Sequence, residues 1–279
     1  MSALSSIAFV VNAQKSGAPE LASELMELAK DHGASVKETH DFPVVADFLA
    51  DCDACCVIGG DGTLLGVSKI AAEAGVPIIG VNRGSLGFLT TFTADEAKEY
   101  LPSLLRGEYT LDERVMLECT SGEDQSDLAL NDVVIKDEHH SRLTRLKVQA
   151  DGEFVTSYTC DGLILTSPTG STAYNLSAGG PLIHPSAEVI ALTPICPHTL
   201  SNRSIIFRED VDLLIAPEDP KSCVTIAVDG QRNLRTCEGG EIRIRTSPHR
   251  LKLIHRASFD HVGILRTKLK WTGGVTNGG

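Results

Sequence analysis

The first 93 or so residues alternate short apolar runs with amphipathic segments, and this alternation restricts the fold more than any other feature. The apolar runs predict strands at residues 7–11, 35–37, 55–58 and 77–81. Helical spacing of apolar residues predicts helices at 19–32, 63–74 and 94–105. Strands and helices in this order form a parallel sheet covered by helices. We therefore expect an N-terminal α/β domain over residues 1–105, with a Rossmann-like parallel sheet.

The pattern changes after about residue 109, where short strand-like runs follow one another with little helical periodicity. Examples are "VDLLIAP", "VTIAVDGQ" and "RLKVQADGEFVTSY", in which Asp151-Gly152 is typical of a hairpin turn. Many short strands at such intervals predict an all-β, sandwich-like C-terminal domain over residues 106–256. Helical spacing returns in 257–279, which we expect to pack back on the N-terminal domain. The whole is a two-domain α+β chain.

Charge and hydropathy exclude several kinds of partner. The 279-residue chain carries a net charge of −12, which argues against nucleic acid because phosphate neutralisation needs clustered Lys and Arg. A small anionic ligand is still compatible with this charge, since a local field can oppose the net charge. No apolar stretch approaches the roughly 18–20 residues that cross a bilayer. The N-terminus "MSALSSIAFVVNAQ" has no basic leader segment, so we expect a cytoplasmic protein without membrane partners.

The eight cysteines are expected to be reduced thiols, because nothing marks the chain as secreted. Cys52, Cys55 and Cys56 could suggest zinc, but no second close Cys/His pair completes a four-ligand set. A buried strand with small side chains explains these three cysteines better.

The stretch "CCVIGGDGTLLG" at 55–66 places a carboxylate inside a glycine-rich turn between a strand and a helix. It does not match the ATP/GTP loop, because the chain has no Gly-Lys pair, and Gly66 comes one residue too late for the dinucleotide fingerprint. Asp61 beside phosphates is unfavourable unless it binds a divalent cation or accepts a proton from a nucleophile. Both uses belong to phosphoryl transfer. An ordinary turn with Asp61 capping the next helix is the alternative.

A second block, "DGLILTSPTGSTAYNLSAGGP" at 161–181, is far more specific. Together with "GGDGTLLG" at 59–66, "NRGSLGFL" at 82–89, "LNDVVI" at 130–135, "VDGQ" at 228–231 and the closing "TKLKW", it makes the whole chain resemble the NAD kinases. The Gly-Gly-Asp-Gly turn alone is shared with phosphofructokinases and with the diacylglycerol and sphingosine kinase group.

The resemblance implies phosphorylation of the 2′-hydroxyl of the adenosine ribose of NAD, with ATP and a divalent metal, to give NADP. Mg²⁺ is the natural metal partner of ATP. The resemblance also implies a site in the cleft between the domains, a homodimer or homotetramer, and NAD and ATP as small-molecule partners. By this likeness Asp61 is the proton acceptor and Gly62 approaches the ligand.

Further positions are carried over from the family one by one. Asn131 and Asp132 match an Asn followed by an acid, and a carboxylate suits the two donors of a ribose diol. The remaining expected contacts are Arg142 toward the pyrophosphate, Thr159, Asp161, the adenine-side residues Thr172, Ala173, Tyr174, Asn175, Leu176 and Ser177, and finally Gln231. Of the latter, Tyr174 offers a ring for stacking, and Leu176 could be mere packing. His139 and His140, adjacent on a polar loop, are expected to be solvated rather than metal-bound.

Two other functions compete with this interpretation. A kinase of a lipid or sugar phosphate would need a greasy groove or a basic pocket in place of the Thr-Ala-Tyr-Asn-Leu-Ser segment. A catalytically silent dinucleotide sensor would need a broken Asp61 position, and the motif is intact. A hydrolase finds no support, because the chain has no G-x-S-x-G elbow.

Overall fold

The computed structural model describes residues 1–84, 87–122, 125–138, 143–199, 201–257 and 260–271. The helices are α1 (Ala18–Asp31), α2 (Asp61–Ala74), α3 (Ala94–Leu105), α4 (Tyr174–Ser177) and α5 (His261–Lys268). The first strands are β1 (Ser6–Val11), β2 (Ser35–Thr39), β3 (Ala54–Gly59) and β4 (Ile78–Asn82). The later strands are β5 (Thr110–Ser121), β6 (Gln125–Ala129), β7 (Asp132–Asp137), β8 (Thr144–Ala150), β9 (Glu153–Cys160), β10 (Gly162–Thr166), β11 (Val189–Ile195), β12 (Ile205–Arg208), β13 (Leu213–Pro217), β14 (Val224–Val228), β15 (Arg232–Thr236) and β16 (Ile242–His255). Short 3-10 turns lie at Ala46–Leu49 and Thr169–Thr172.

The chain forms two compact units. The first takes residues 1–64, 76–112 and the chain from Leu253 onward, and the second takes residues 65–75 and 113–252. Residues 65–75, which include most of α2, thus group with the second unit. The predicted domain boundary at residue 105 would have placed them in the first. The domain bounds given from the sequence remain a prediction.

The first unit is the expected parallel α/β structure. Its strands lie in the order β2-β1-β3-β4, and all three pairings are parallel. Every residue of β3 is buried, as in a strand covered on both faces. Helices α1 and α3 bury Leu21, Leu25, Leu101 and Leu104 against the sheet.

Helix α3 begins and ends at the predicted residues, and its start has a clear local cause. The Thr93 hydroxyl accepts a hydrogen bond from the Glu96 backbone N–H at 3.2 Å, and the Glu96 carboxylate accepts one from the Thr93 N–H at 2.9 Å. This reciprocal capping box satisfies two donors that have no partner within the helix.

The second unit contains antiparallel sheets that share one core, so the predicted all-β sandwich-like fold is confirmed. One sheet has the order β12-β11-β10-β7-β14-β15, and the other places β16-β13-β8-β9 side by side. Their apolar faces meet in a single cluster that includes Ile135, Leu163 and Ile226 from the first sheet and Leu146 and Leu213 from the second.

The predicted hairpin at Asp151-Gly152 joins β8 to β9. Ala150 pairs with Glu153, and the two turn residues have positive φ values of 51° and 82°. A two-residue turn with both φ positive suits the twist of a hairpin, and Gly meets this conformation without steric cost.

The cysteine prediction was right for some positions and wrong for others. Cys55 and Cys56 are buried in β3, where burial raises the pKa of the Cys56 thiol to about 12, so the strand interpretation is confirmed. Cys223 and Cys237, however, form a disulfide and are not reduced thiols. They flank the β14–β15 pairing, in which Val224 lies opposite Thr236, and this register brings the two sulfurs together. Within the described chain, no helix is long and apolar enough to span a bilayer.

Candidate functional site

The glycine turn of the first unit leads from β3 directly into α2, and Asp61 is the first residue of that helix. Both oxygens of its carboxylate accept hydrogen bonds from the chain that follows β4. Oδ2 accepts from the Phe88 N–H at 2.8 Å, and Oδ1 accepts from the N–H groups of Leu89 and Thr90 at 3.1 and 2.9 Å. The Thr90 hydroxyl donates a fourth bond to Oδ1 at 2.9 Å. Asp61 therefore joins the turn to the 88–90 segment, rather than acting as the helix cap considered from the sequence.

The "NRGSLGFL" motif supplies the support for this carboxylate. The Asn82 amide donates to the Thr90 hydroxyl at 2.7 Å, so Asn82, Thr90 and Asp61 form a chain of hydrogen bonds. Gly87 lies so close to Asp61 that a Cβ at this position would overlap Oδ1. Sequence reasoning quoted this motif without giving any of these residues a role, because the contacts span up to 29 residues.

A large pocket of about 1250 Å³ lies in the second unit. Its floor is the face of the β12–β15 sheet opposite the core, since side chains alternate along each strand. Along β7, Val133 and Ile135 point into the core, while Asp132, Val134 and Lys136 line the pocket. The other lining residues are Leu65, Asn131, Asp161, Ala173, Tyr174, Ile195, Cys196, Thr225, Ala227, Asp229, Gly230 and Asn233. The volume exceeds the roughly 300–1,000 Å³ of pockets for drug-sized ligands, so it suits a dinucleotide.

Five of the residues carried over from the family line this pocket: Asn131, Asp132, Asp161, Ala173 and Tyr174. Asn131 and Asp132 belong to the "LND" turn, residues 130–132. This turn is held by Asp229 of the "VDGQ" motif. The Asp229 carboxylate accepts hydrogen bonds from the backbone N–H groups of Leu130, Asn131 and Asp132 at 2.9, 2.7 and 3.2 Å. Asp229 itself sits in a tight turn with φ of 51°, next to Gly230 with φ of 63°. Two motifs about 98 residues apart in sequence are thus joined through one carboxylate.

Two buried carboxylates therefore lie together at the pocket floor. Burial, reinforced by the charge of Asp229, raises the pKa of Asp132 to about 7, although the Tyr174 backbone N–H donates to it and opposes the rise. Burial also raises the pKa of Asp229, despite its three backbone donors. Like-charged carboxylates in a poorly solvated place disfavour double ionisation.

A third buried carboxylate, Asp127, has its pKa shifted in the opposite direction. Burial alone would raise its pKa, but hydrogen bonds from Lys69 and Arg232 prevail and lower it. Lys69 Nζ lies 2.9 Å from Oδ1, and Arg232 Nε lies 2.7 Å from Oδ2. Arg232 also approaches Asp229 at 3.6 Å and donates to the Leu128 carbonyl at 2.6 Å. This ion network fixes the strand that leads into the "LND" turn, and it was missed because no local motif marks it.

The adenine-side segment folds around Asn175, which is fully buried. Its amide donates to the carbonyls of Ser171 and Pro181 at 3.2 and 2.9 Å, and its Oδ1 accepts from the Thr193 hydroxyl at 2.7 Å. Asn175 thus organises the loop that carries Tyr174, and its predicted contact with a purine stays a prediction. Gly170 in the same segment packs against the Asn131 carbonyl so closely that a Cβ would overlap it.

The other predicted contacts lie outside the lining of this pocket. Thr172 and Leu176 are half-buried and Ser177 is exposed, on the 3-10 turn and α4. Thr159 is half-buried near the end of β9, Gln231 is exposed after the Asp229 turn, and Gly62 is exposed in the first turn of α2. Arg142, His139 and His140 lie outside the described residues. Sequence reasoning also missed Lys136, whose ammonium donates to the Tyr174 hydroxyl at 3.2 Å and lies 5.1 Å from the ring centroid.

The ATP-NAD kinase N-terminal domain family matches residues 9–109, and the ATP-NAD kinase C-terminal domain family matches residues 130–256. The chain is 41% identical to the NAD kinase of Geotalea daltonii over 229 residues, which cover 81% of each protein. The chain therefore belongs to the ATP-NAD kinase family, whose reaction is the phosphorylation of NAD with ATP.

Solved structures support the same fold. The yeast NADH kinase, crystallised with NADH, superposes with a TM-score of 0.85 at 24% identity, covering 98% of this chain and 90% of that one. An NAD kinase from Archaeoglobus fulgidus, in complex with ATP, gives a TM-score of 0.80 at 22% identity and covers 98% and 100% of the two chains.

Proposed function

We propose that this chain transfers the γ-phosphoryl group of ATP to the 2′-hydroxyl of the adenosine ribose of NAD, with Asp61 as the general base. The 2′-oxygen attacks the γ-phosphorus, its proton passes to the Asp61 carboxylate, and ADP leaves. Such a transfer depends mainly on positioning and charge neutralisation, with a base to orient and deprotonate the attacking hydroxyl.

The observation that carries the proposal is how Asp61 is held. A carboxylate offers about four acceptor positions, two on each oxygen. Among the described residues, Oδ1 accepts three hydrogen bonds while Oδ2 accepts one, from Phe88. Oδ2 therefore retains acceptor capacity for a hydroxyl proton, while the other bonds fix the carboxylate in place. Fixed geometry of this kind is what a base toward one particular hydroxyl requires.

The pocket of the second unit is proposed to bind NAD. Asn131 and Asp132 would receive the ribose diol, Tyr174 would stack on the adenine, and Asp161 would contact the far part of the dinucleotide. The contacts proposed for Gly62, Arg142, Thr159, Thr172, Ala173, Asn175, Leu176, Ser177 and Gln231 rest on the family likeness alone.

A divalent cation, most simply Mg²⁺, is proposed to enter with ATP. Mg²⁺ in kinase sites is usually bound by one or two carboxylates together with substrate phosphates, rather than by a cage of protein ligands. In the described part of the chain, the only group of three or more clustered Asp, Glu, His or Cys ligands is Glu138, Cys223 and Cys237, in which the disulfide occupies both sulfurs. Asp61 would be the protein carboxylate available to such a cation, and the phosphates of ATP, whose charge it would neutralise, would supply other ligands.

The reaction is tested with purified protein, NAD, ATP and Mg²⁺, by detecting the product with a dehydrogenase that accepts only NADP. Asp61→Asn keeps the shape of the side chain and removes its basicity. We expect kcat to fall about 10²–10⁴-fold while NAD binding, measured by calorimetry, stays within about threefold. If Asp61→Asn turns over at a rate close to the wild type, Asp61 is not the base. Failure of the wild type to form NADP would reject the whole proposal.

Two further expectations remain proposals: a cytoplasmic location and assembly into a homodimer or homotetramer. Light scattering of the purified protein tests the second, since a mass of one chain contradicts it.

A further inference from the structure

The pocket of the second unit presents an electrostatic problem for the ligand proposed above. Three carboxylates line it, those of Asp132, Asp161 and Asp229, and the chain as a whole carries a net charge of −12. NAD brings a pyrophosphate with two negative charges into these surroundings. A poorly solvated anion requires a nearby cation or a set of aimed donors.

Two features reduce the negative charge of the pocket floor near Asp132 and Asp229. Burial raises the pKa of both Asp132 and Asp229, and the value of about 7 for Asp132 reduces the negative charge that this group carries near neutral pH. Arg232 lies 3.6 Å from Asp229 and offsets it further. Neither effect provides a positive group that a phosphate in the pocket could contact, because Arg232 is not among the residues that line the pocket and is directed toward Asp127, Asp229 and the Leu128 carbonyl.

Among the described residues that line the pocket, Lys136 is the only cationic side chain. It follows Asp132 and Val134 on the pocket face of β7 and lines the pocket with them. The ammonium rests on Tyr174, through one hydrogen bond to the hydroxyl and a cation–π contact with the ring. An ammonium has three donors, so this arrangement leaves it able to bind a phosphate oxygen as well.

We propose that Lys136 is a pyrophosphate-binding cation of the dinucleotide site, and that Tyr174 holds its ammonium in place. This inference rests on the proposed function, since it assigns NAD to this pocket. Lys136 would bind substrate and transition state equally, because the pyrophosphate lies away from the reacting hydroxyl. Its removal should therefore raise KM and leave kcat unchanged.

The test is Lys136→Met, which keeps the length of the stem and removes the charge. Lys147→Met is the matched control: Lys147 lies 5.8 Å from the Phe154 ring centroid in a similar cation–π pair, and it is not among the pocket residues. We expect Lys136→Met to raise the Kd and KM for NAD about tenfold, with kcat within twofold. Lys136→Arg should restore most of the affinity, and Lys147→Met should behave as the wild type.

Three further ligands and variants separate the alternatives. Adenosine has no phosphate, so its affinity should be the same in Lys136→Met and wild type; an equal loss for adenosine and NAD would mean that Lys136 only orders Tyr174. ATP binding alone should be unaffected; a loss for ATP without a loss for NAD would assign the cation to the donor. Tyr174→Phe removes the hydroxyl and keeps the ring, and it should weaken NAD less than Lys136→Met does.

Salt gives an independent readout, since an ion pair weakens as ionic strength rises. The Kd for NAD should increase with KCl in the wild type and clearly less in Lys136→Met. NAD affinity within twofold of the wild type in Lys136→Met would overturn the inference. Binding is measured without ATP, so this result is distinct from a failure to form NADP.

Discussion

Asp61 in the first unit and Asp132 in the second are both acids at the boundary of a buried strand, yet their surroundings differ in kind. Asp61 receives four hydrogen bonds from residues 88–90. Asp132 is 5% exposed and lies beside a second buried carboxylate, and its pKa is raised to about 7. The difference shows that position in a motif does not decide what an acid can do. The number of aimed donors and the sign of the nearest charge decide it.

The largest expected effect concerns Asp132, the carboxylate whose ionised form is disfavoured by burial. Because the folded pKa of Asp132 is about 7 and the unfolded value is about 4, the native state holds a proton that the unfolded chain releases between these values. Stability contributed by this group should therefore fall as pH rises from about 4 to 7. Asp132→Asn does not ionise, so at pH 8 it should be more stable than wild type by about 4 kcal/mol, with little difference at pH 4. Urea unfolding at both pH values measures this.

Asp127→Asn is the control with the opposite sign. The pKa of Asp127 is lowered by Lys69 and Arg232, so its contribution is present above about pH 4 and lost in acid. This variant should be less stable than wild type at pH 8, and the gap should narrow only as the pH falls below about 4. Equal pH profiles for the two variants would contradict the distinction between the carboxylates.

A smaller effect should follow from removing the acceptor that holds the "LND" turn. Asp229→Ala leaves three backbone N–H groups without their carboxylate, and a buried donor without a partner costs about 1–3 kcal/mol. Since the raised pKa of Asp229 shows that its charge is itself unfavourable, we expect a net loss of about 2 kcal/mol. Asp229→Asn keeps one acceptor oxygen and should lose less. If thermal unfolding shows the same loss of stability for Asp229→Ala and Asp229→Asn, the hydrogen bonds are not the cause of that loss.

The smallest effect concerns the support of Asp61. In Gly87→Ala the new Cβ overlaps the carboxylate and must displace it, while the pocket of the second unit is unchanged. We expect kcat to fall about tenfold, with an unchanged Kd for NAD. Gly84→Ala in the same loop is the matched control, because its Cβ would meet Asn82 at an ordinary 3.5 Å. A normal rate in Gly87→Ala would mean that Asp61 does not depend on this loop.

Sequence reasoning succeeded where the signal was local. Helix α3 was predicted from its helical spacing, and the Asp151-Gly152 hairpin from the two turn residues themselves. It failed where partners lie far apart in the chain. Nothing near Asp229 indicates that it binds residues 130–132, and nothing near Asp61 points to Thr90.

The disulfide is an intermediate case. Cys223 and Cys237 are 14 residues apart, and a hairpin centred on the Asp229 turn would have placed them opposite each other. The run "VTIAVDGQ" predicted β14, but neither β15 nor the register of the two strands was predicted, and the pairing of the two sulfurs depends on that register.

Successive side chains of β7 alternate between the pocket of the second unit and the core. Asp132, Val134 and Lys136 line the pocket while Val133 and Ile135 lie in the core, so substitutions at 134 or 136 change the pocket lining while the interior stays intact. Loss of a single residue from the strand would exchange the two sets, turning the lysine toward the core and the isoleucine toward the pocket. The lining of this pocket can therefore be changed by substituting residues on one face of the strand, whereas an insertion or deletion within the strand would alter both faces.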